Sequence, residues 1–191
     1  MTMTRIEPPV TAPSNARAHF AASNAIAEEF FGNHADDIAR TCQSMAARFQ
    51  KDGRLLVCGE GAQRSDVAHV VVEFLHPVVV GKRALPAIAL PGVSARDAAA
   101  HFETFAHAED ILLVLCAGAI DARLSELVAA AAARGVLTVV LTGDGVLPAP
   151  ADHAFAVPSS NACIVQETHE MLYHILWELT HVFLDHRGSE A

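Results

Sequence analysis

The stretch Arg54-Leu-Leu-Val-Cys-Gly-Glu-Gly-Ala62 decides the fold class. It joins a short apolar run to a glycine-containing turn, and a helical pattern follows as far as Leu75. This order predicts a buried strand, a turn and a helix. Further strands are predicted at 85–90, 111–117, 136–141 and 154–157, and further helices at 95–105, 120–134 and 161–185. Alternating helices and uniformly apolar strands predict a mainly parallel, five-stranded sheet that is covered on both faces.

The first fifty residues predict a different arrangement. Residues 1–13 hold three prolines and no periodicity, which predicts a disordered or draping arm. Ser14 can cap a helix that runs to Phe31, and Gly32-Asn33 is expected to end it before a second helix at 35–50. We therefore expect one domain over 14–191. Its predicted parts are a helical hairpin at 14–51, an α/β core at 52–160 and a C-terminal helix at 161–187.

Composition and charge limit the class of protein. The chain has 191 residues, of which 52% are hydrophobic, and a formal net charge of −9. The charge argues against binding to a nucleic-acid backbone. No apolar segment has the length of a membrane span, and no secretory signal is evident, so we expect a cytoplasmic protein. The high apolar content suggests a homo-oligomer. The four scattered cysteines favour reduced thiols over disulfides.

Two distant helices carry residues that suit a metal ion. His69 and Glu73 are four positions apart, so they share one face of a helix and can bind one ion together. Gln166 and His174 lie about two turns apart on the last helix. These polar groups lie in otherwise apolar helices, and a shared metal ion would explain them. The alternative for His69 and Glu73 is a solvated pair on a helix surface.

The motifs resemble those of the SIS (sugar isomerase) domain, in its phosphoheptose isomerase branch. The matching segments are Gly59-x-Gly61, Asp66-x-x-His69-x-x-x-Glu73, Leu141-Thr142-Gly143, Val157-Pro158-Ser159 and Gln166-Glu167-x-His169-x-x-x-x-His174. The resemblance implies a three-layer α/β/α fold and a homotetramer, although a dimer is also possible. It further implies that His69, Glu73, Gln166 and His174 bind zinc, and that Glu73 and His174 are the catalytic acid and base of an aldose–ketose isomerisation.

The loops that bind phosphate in the family differ in this chain. The family has Gly-Asn-Gly-Gly-Ser where this chain has Gly59-Glu-Gly-Ala-Gln63, and its Ser-Thr-Ser-Gly-Asn-Ser loop is replaced by Leu115-Cys-Ala-Gly-Ala-Ile120. Fewer hydroxyl donors should weaken phosphosugar binding. Arg64 or Arg123 could supply a compensating positive charge. The residues that we expect to contact a substrate are Gly61, Gln63, Arg64, Gly118, Thr142 and Ser159.

These observations favour a metal-binding sugar isomerase that acts on a phosphosugar or a related sugar. A non-catalytic oligomeric scaffold that binds a protein partner is the alternative, as is a regulator that senses another small anion through Arg64. Several other residues have alternative roles that the sequence leaves open. Glu167 and His169 are either partners of the metal ligands or solvated residues. Glu178 and His181 have the spacing of di-iron proteins, and Cys116 is a nucleophile, a ligand or a packed thiol.

Overall fold

The computed structural model describes residues 12–59, 61–77, 79–90, 95–144 and 151–188. Within these residues the strands are β1 (Leu55–Gly59), β2 (Ala87–Ala89), β3 (Ile111–Leu115), β4 (Leu137–Thr142) and β5 (His153–Ala156). The helices are α1 (Ala12–Phe49), α2 (Gln63–Leu75), α3 (Ala95–Phe105), α4 (Ala122–Ala133) and α5 (Ala162–Gly188).

The strands form one sheet in the order β2-β1-β3-β4-β5, and every neighbouring pair is parallel. Successive strand side chains point to opposite faces, and both faces are apolar. Leu55 and Val57 of β1 pack with α1, α2 and α5, whereas Leu56 and Cys58 pack with α3 and α4. The structure thus confirms the predicted three-layer α/β/α fold with its five-stranded sheet.

The prediction of an N-terminal helical hairpin is wrong, because α1 is one continuous helix of 38 residues. Gly32 was expected to end the first helix, but it lies exposed on the outer side and the helix passes through it. The buried side chains keep a helical spacing across this point, with Phe30 before it and Ile38, Cys42 and Met45 after it. Packing of this face outweighs the helix propensity lost at one glycine, which is about 1 kcal/mol.

Two further predictions concern the ends of the chain and the cysteines. The predicted arm over 1–13 falls mostly outside the described residues, although α1 already begins at Ala12 within it. None of the four cysteines is in a disulfide, and Cys163 is the exposed one. No helix in the described part of the chain combines the length and apolarity that crossing a membrane requires.

A partly buried ion pair fixes the amino-terminal edge of the sheet. Arg54 precedes β1 and Asp110 precedes β3, and the Arg54 Nη2 donates to Asp110 Oδ2 at 2.7 Å while Nε donates to Oδ1 at 3.1 Å. Burial by itself raises the pKa of Asp110. Hydrogen bonds from Arg54 and from the backbone N–H of His107 outweigh it and hold this pKa below 3.8. With this edge fixed, the opposite edge, where the strands end, is where a ligand site is expected.

Candidate metal centre and ligand cavity

The metal-ligand candidates lie where α2 contacts α5. Val70 and Phe74 on α2 and Leu172 and Leu176 on α5 are buried in the same apolar cluster, which holds the two helices together. His69 is half-buried, with 39% of its side chain exposed, and stands beside this contact. The helices therefore bring two histidines together from positions 105 residues apart in the chain.

The geometry of the two imidazoles suits a shared zinc ion. His69 Nε2 and His174 Nε2 are 3.4 Å apart. Zinc–nitrogen bonds of about 2.0–2.1 Å at a tetrahedral angle separate two nitrogens by about 3.3–3.4 Å. The other ring nitrogen of His69, Nδ1, is 3.0 Å from the hydroxyl of Tyr173, which is buried. A partner on Nδ1 fixes the ring and its tautomer, as metal-binding histidines usually require.

Glu170 supplies a carboxylate at the same place. Its Oε1 lies 3.7 Å from His69 Nδ1. One ligand atom from each of His69, Glu170 and His174 lies within 4.8 Å of the other two, and this is the group with metal-binding potential among the residues that the structure describes. Two imidazoles and a carboxylate are a donor set that suits zinc.

The other predicted ligands are Gln166 and Glu73, and the Glu73 carboxylate is not part of that group. Gln166 Nε2 donates to Asp66 Oδ1 at 2.9 Å, which orients the amide and leaves its oxygen as an acceptor. Burial is the main reason that the pKa of Asp66 is raised above 3.8. Glu73 is half-buried and lines a cavity of about 360 Å³ together with His174, Lys82 and Trp177. The four-ligand set implied by the resemblance stays a prediction.

A second cavity, of about 450 Å³, lies at the carboxyl ends of β1 and β3. We call it the strand-end cavity, and its lining is Gly61, Ala62, Gln63, Leu115, Cys116, Ala117, Gly118, Ala119, Asp121 and Leu124. It contains three of the residues expected to contact a substrate, which are Gly61, Gln63 and Gly118. Gly61 has φ of +59°, a left-handed conformation that glycine adopts without strain.

The charge of the strand-end cavity is unfavourable for phosphate. Asp121 caps α4, and its carboxylate accepts a hydrogen bond of 2.8 Å from the backbone N–H of Leu124. A donor at the helix start that could serve an anion is therefore used by a residue of the chain itself. The described lining contains no Lys or Arg. Arg123 instead lines a separate cavity between α3 and α4, and Arg64 is exposed on α2.

Thr142 and Ser159, also expected to contact a substrate, make internal hydrogen bonds. Thr142 is fully buried, and its hydroxyl faces the carbonyl oxygen of Phe155 at 3.5 Å. Ser159 Oγ accepts from the backbone N–H of Asn161 at 3.2 Å, next to the start of α5. These contacts stabilise the edge of the sheet near β4 and β5.

The sequence left several roles open for Glu167, His169, His181 and Cys116. The structure shows what each of them contacts or where it is buried. His169 is buried with Nε2 3.1 Å from the carbonyl oxygen of Thr142, and burial lowers its pKa to about 4. Glu167 accepts from Ser23 Oγ at 2.5 Å and contacts His19 at 2.8 Å, so it joins α5 to α1. Both ring nitrogens of His181 face backbone carbonyl oxygens, those of Trp177 and Arg83. Cys116 is buried at the end of β3.

Sequence reasoning missed Glu170 and Tyr173. The signal for Glu170 was available, because it precedes His174 by four positions and so shares its helix face. The same rule paired His69 with Glu73. Tyr173 gave no comparable signal, since its partner His69 lies on another helix.

Comparison with known proteins identifies the family. A model of the SIS domain matches residues 18–143, which is more than half of the chain. The chain belongs to the SIS domain family.

Individual relatives show to which branch of the SIS family the chain belongs. The phosphoheptose isomerase of Alkalilimnicola ehrlichii is 32% identical over 161 residues, covering 75% of this chain and 82% of the relative. That of Solidesulfovibrio magneticus is 27% identical over 175 residues, covering 85% and 84%. A structure of a phosphoheptose isomerase from Francisella tularensis has a TM-score of 0.78 at 24% identity, covering 90% of this chain and 98% of that one. Within the SIS family the chain falls in the phosphoheptose isomerase branch.

Proposed function

We propose that this protein is a metal-dependent isomerase that interconverts the aldose and ketose forms of a phosphosugar or related sugar. The observation that carries the proposal is the 3.4 Å approach of His69 Nε2 to His174 Nε2. Zinc is the metal that this pair suits best. The resemblance to the family adds Glu73 and Gln166 as further ligands. A bound zinc ion would polarise the carbonyl and hydroxyl oxygens of the substrate.

The proposed proton transfers use two side chains that line one cavity. Glu73 and His174 both border the cavity of about 360 Å³ between α2 and α5. Glu73 takes a proton from the carbon beside the carbonyl group and returns it to the neighbouring carbon. His174 transfers the second proton between the two oxygens, so no atom is gained or lost overall. This assignment follows the family resemblance and the shared cavity.

Substrate recognition is proposed to differ from that of a typical phosphoheptose isomerase. The strand-end cavity carries Asp121 where an anion would approach, and its described lining has no basic side chain. Gly61, Gln63, Arg64, Gly118, Thr142 and Ser159 remain the proposed contacts. Arg64, exposed near the start of α2, is the proposed source of positive charge.

A homo-oligomer, either a tetramer or a dimer, is part of the proposal. Val79 and Val182 line the cavity that holds Glu73 and His174, yet both are exposed, as are Val72 and Val80. An exposed apolar surface of this kind is typical of an interface. We place the protein in the cytoplasm. Size-exclusion chromatography with light scattering measures the assembly, and a monomer at all concentrations would contradict this part.

A non-catalytic scaffold or a regulator is the second proposal, and the lining of the strand-end cavity favours it. The deciding experiment measures the zinc content of the purified protein, then turnover of sedoheptulose 7-phosphate and the thermal shift that this sugar causes. Zinc with turnover supports the isomerase. If neither metal nor turnover is found and no phosphosugar raises the melting temperature, the isomerase proposal fails and the scaffold is favoured.

A further inference from the structure

We infer that the strand-end cavity receives an uncharged, hydroxyl-bearing end of the substrate, so that the protein prefers a free sugar to its phosphate ester. This inference rests on the proposed isomerase function and names the substrate class. Ligands of open parallel sheets bind at the carboxyl ends of the strands, where this cavity of about 450 Å³ lies. Its volume suits one end of a sugar-sized molecule.

The strand-end cavity lacks the side chains that hold a phosphate group. A bound phosphate is satisfied by cationic side chains, by hydroxyl groups or by free backbone N–H groups. The described lining contains no Lys, Arg, His, Ser or Thr. Arg64 is exposed on α2 and is not part of that lining, so water screens its charge.

Backbone donors at the two helix starts beside the cavity are also in use. At the start of α4, the N–H of Leu124 donates to the carboxylate of Asp121 at 2.8 Å. At the start of α2, the N–H groups of Arg64 and Ser65 donate to carbonyl oxygens of the preceding turn, at 3.4 and 3.3 Å. The chain therefore occupies donors that an anion would need.

The polar groups that remain in the lining suit hydroxyl groups. Gln63 is only 3% exposed, and its amide offers both a donor and an acceptor. The carboxylate of Asp121 can accept a further hydrogen bond from a hydroxyl, whereas it repels a phosphate group, which carries about −1.5 to −2 charges at neutral pH. Leu115 and Leu124 add apolar surface against which the C–H groups of a sugar can pack.

The start of α2 connects the cavity with the proposed metal centre. Gln63 precedes His69 by six positions on this helix, which corresponds to a rise of about 9 Å. An extended sugar chain with its terminal hydroxyl groups can bridge such a distance. One substrate molecule can therefore place its uncharged end in the cavity and its carbonyl end at the metal centre.

The test compares D-sedoheptulose with sedoheptulose 7-phosphate, which differ only in the phosphate group. Isothermal titration calorimetry measures the binding of each to the wild type, and turnover is measured in parallel. We expect the free sugar to bind about tenfold more tightly or better, and to have a kcat/KM higher by a similar factor. Sedoheptulose 7-phosphate is then the weaker of two substrates.

A double variant tests the cause of this preference. Ala117→Ser with Ala119→Ser adds two hydroxyl donors to the lining. Each hydrogen bond to a charged group is a strong one, so the phosphate ester should gain about tenfold in affinity relative to the free sugar. Ala129→Ser with Ala133→Ser is the matched control, because both alanines are exposed on α4 outside this lining, and it should leave the preference unchanged.

The outcomes separate this inference from the proposed function. If the wild type binds and converts the phosphate ester as well as the free sugar or better, the inference is overturned and the isomerase stands. If the free sugar binds more tightly but neither compound is converted, the isomerase proposal fails, while the preference of the cavity for an uncharged group is supported. If neither compound binds, the inference is overturned together with the isomerase proposal.

Discussion

His69 and His174 face each other with their Nε2 atoms 3.4 Å apart, across the contact between α2 and α5. Two uncharged imidazoles share a single hydrogen bond at most, since only one of the facing nitrogens can carry the proton. A cation between them uses both lone pairs. This relationship distinguishes the contact from ordinary helix packing, and the proposed chemistry depends on it.

Replacing His174 by Ala should abolish most of the activity. The change removes a side chain that we propose as both a zinc ligand and the acid–base group, so turnover should fall by about 10²–10⁴-fold or more. Zinc affinity should fall in parallel. His186→Ala is the control, because His186 is exposed on the same helix. Equal turnover in the two variants, measured with sedoheptulose 7-phosphate, would rule out the assigned role.

Asp121→Asn should improve the binding of an anion in the strand-end cavity. The amide oxygen can still cap α4, while the negative charge is removed. Loss of one repulsive charge is worth on the order of 1 kcal/mol near the surface, which is about a fivefold gain in affinity. The thermal shift caused by inorganic phosphate or sedoheptulose 7-phosphate measures this gain. Glu126→Gln makes the same charge change elsewhere, and an equal gain there would point to net charge rather than to the cavity.

Gly32→Ala should stabilise the protein. Gly32 lies inside α1, and an added Cβ meets no atom within 4 Å. Alanine favours the helix and restricts the unfolded chain, so the free energy of unfolding should rise by about 0.5–1 kcal/mol. Urea denaturation measures the change.

Gly53→Ala should have the opposite effect on stability to Gly32→Ala. An added Cβ there would lie 2.1 Å from the carbonyl oxygen of Glu109, so this variant should be destabilised. A loss of stability in Gly32→Ala would indicate that the chain breaks at Gly32 after all.

Asp110→Asn should destabilise the protein in a pH-dependent way. Hydrogen bonds hold the pKa of Asp110 below its ordinary value of 3.8, so the carboxylate contributes stability above that pH. That stability is lost as the pH falls through the lowered pKa of the folded state. At pH 7 the variant should lose about 1.5–3 kcal/mol, because the charge-assisted hydrogen bonds between Arg54 and the carboxylate are lost. The difference from the wild type should shrink as the pH falls below 3.8, and a constant difference would contradict the assignment.

The α/β core was predictable because the strands are short, mainly apolar runs that end at turns. Leu112 and Val114 illustrate this, since they face α3 and α4 while their neighbours in β3 face the opposite layer. The course of α1 was less predictable. Gly32 is a local signal for the end of a helix. The stabilisation that keeps α1 continuous at this position comes from burial of Phe30 and Ile38 against distant residues.

The site was predictable as far as its histidines. Spacing on each helix indicated which side chains share a face, and the family motif paired the two helices. The approach of Glu170 Oε1 to His69 Nδ1 at 3.7 Å depends on how α2 packs against α5, which no local pattern records. The use of Asp121 as a helix cap also depends on the backbone conformation at a single turn.

The length of α1 affects the hydrodynamics of the chain. At about 1.5 Å per residue, its 38 residues extend about 57 Å, whereas the 27 residues of α5 extend about 40 Å. Residues 15–22 are all exposed, so the first turns of the rod have little of the chain around them. A lone copy should therefore sediment more slowly than a sphere of 20.2 kDa.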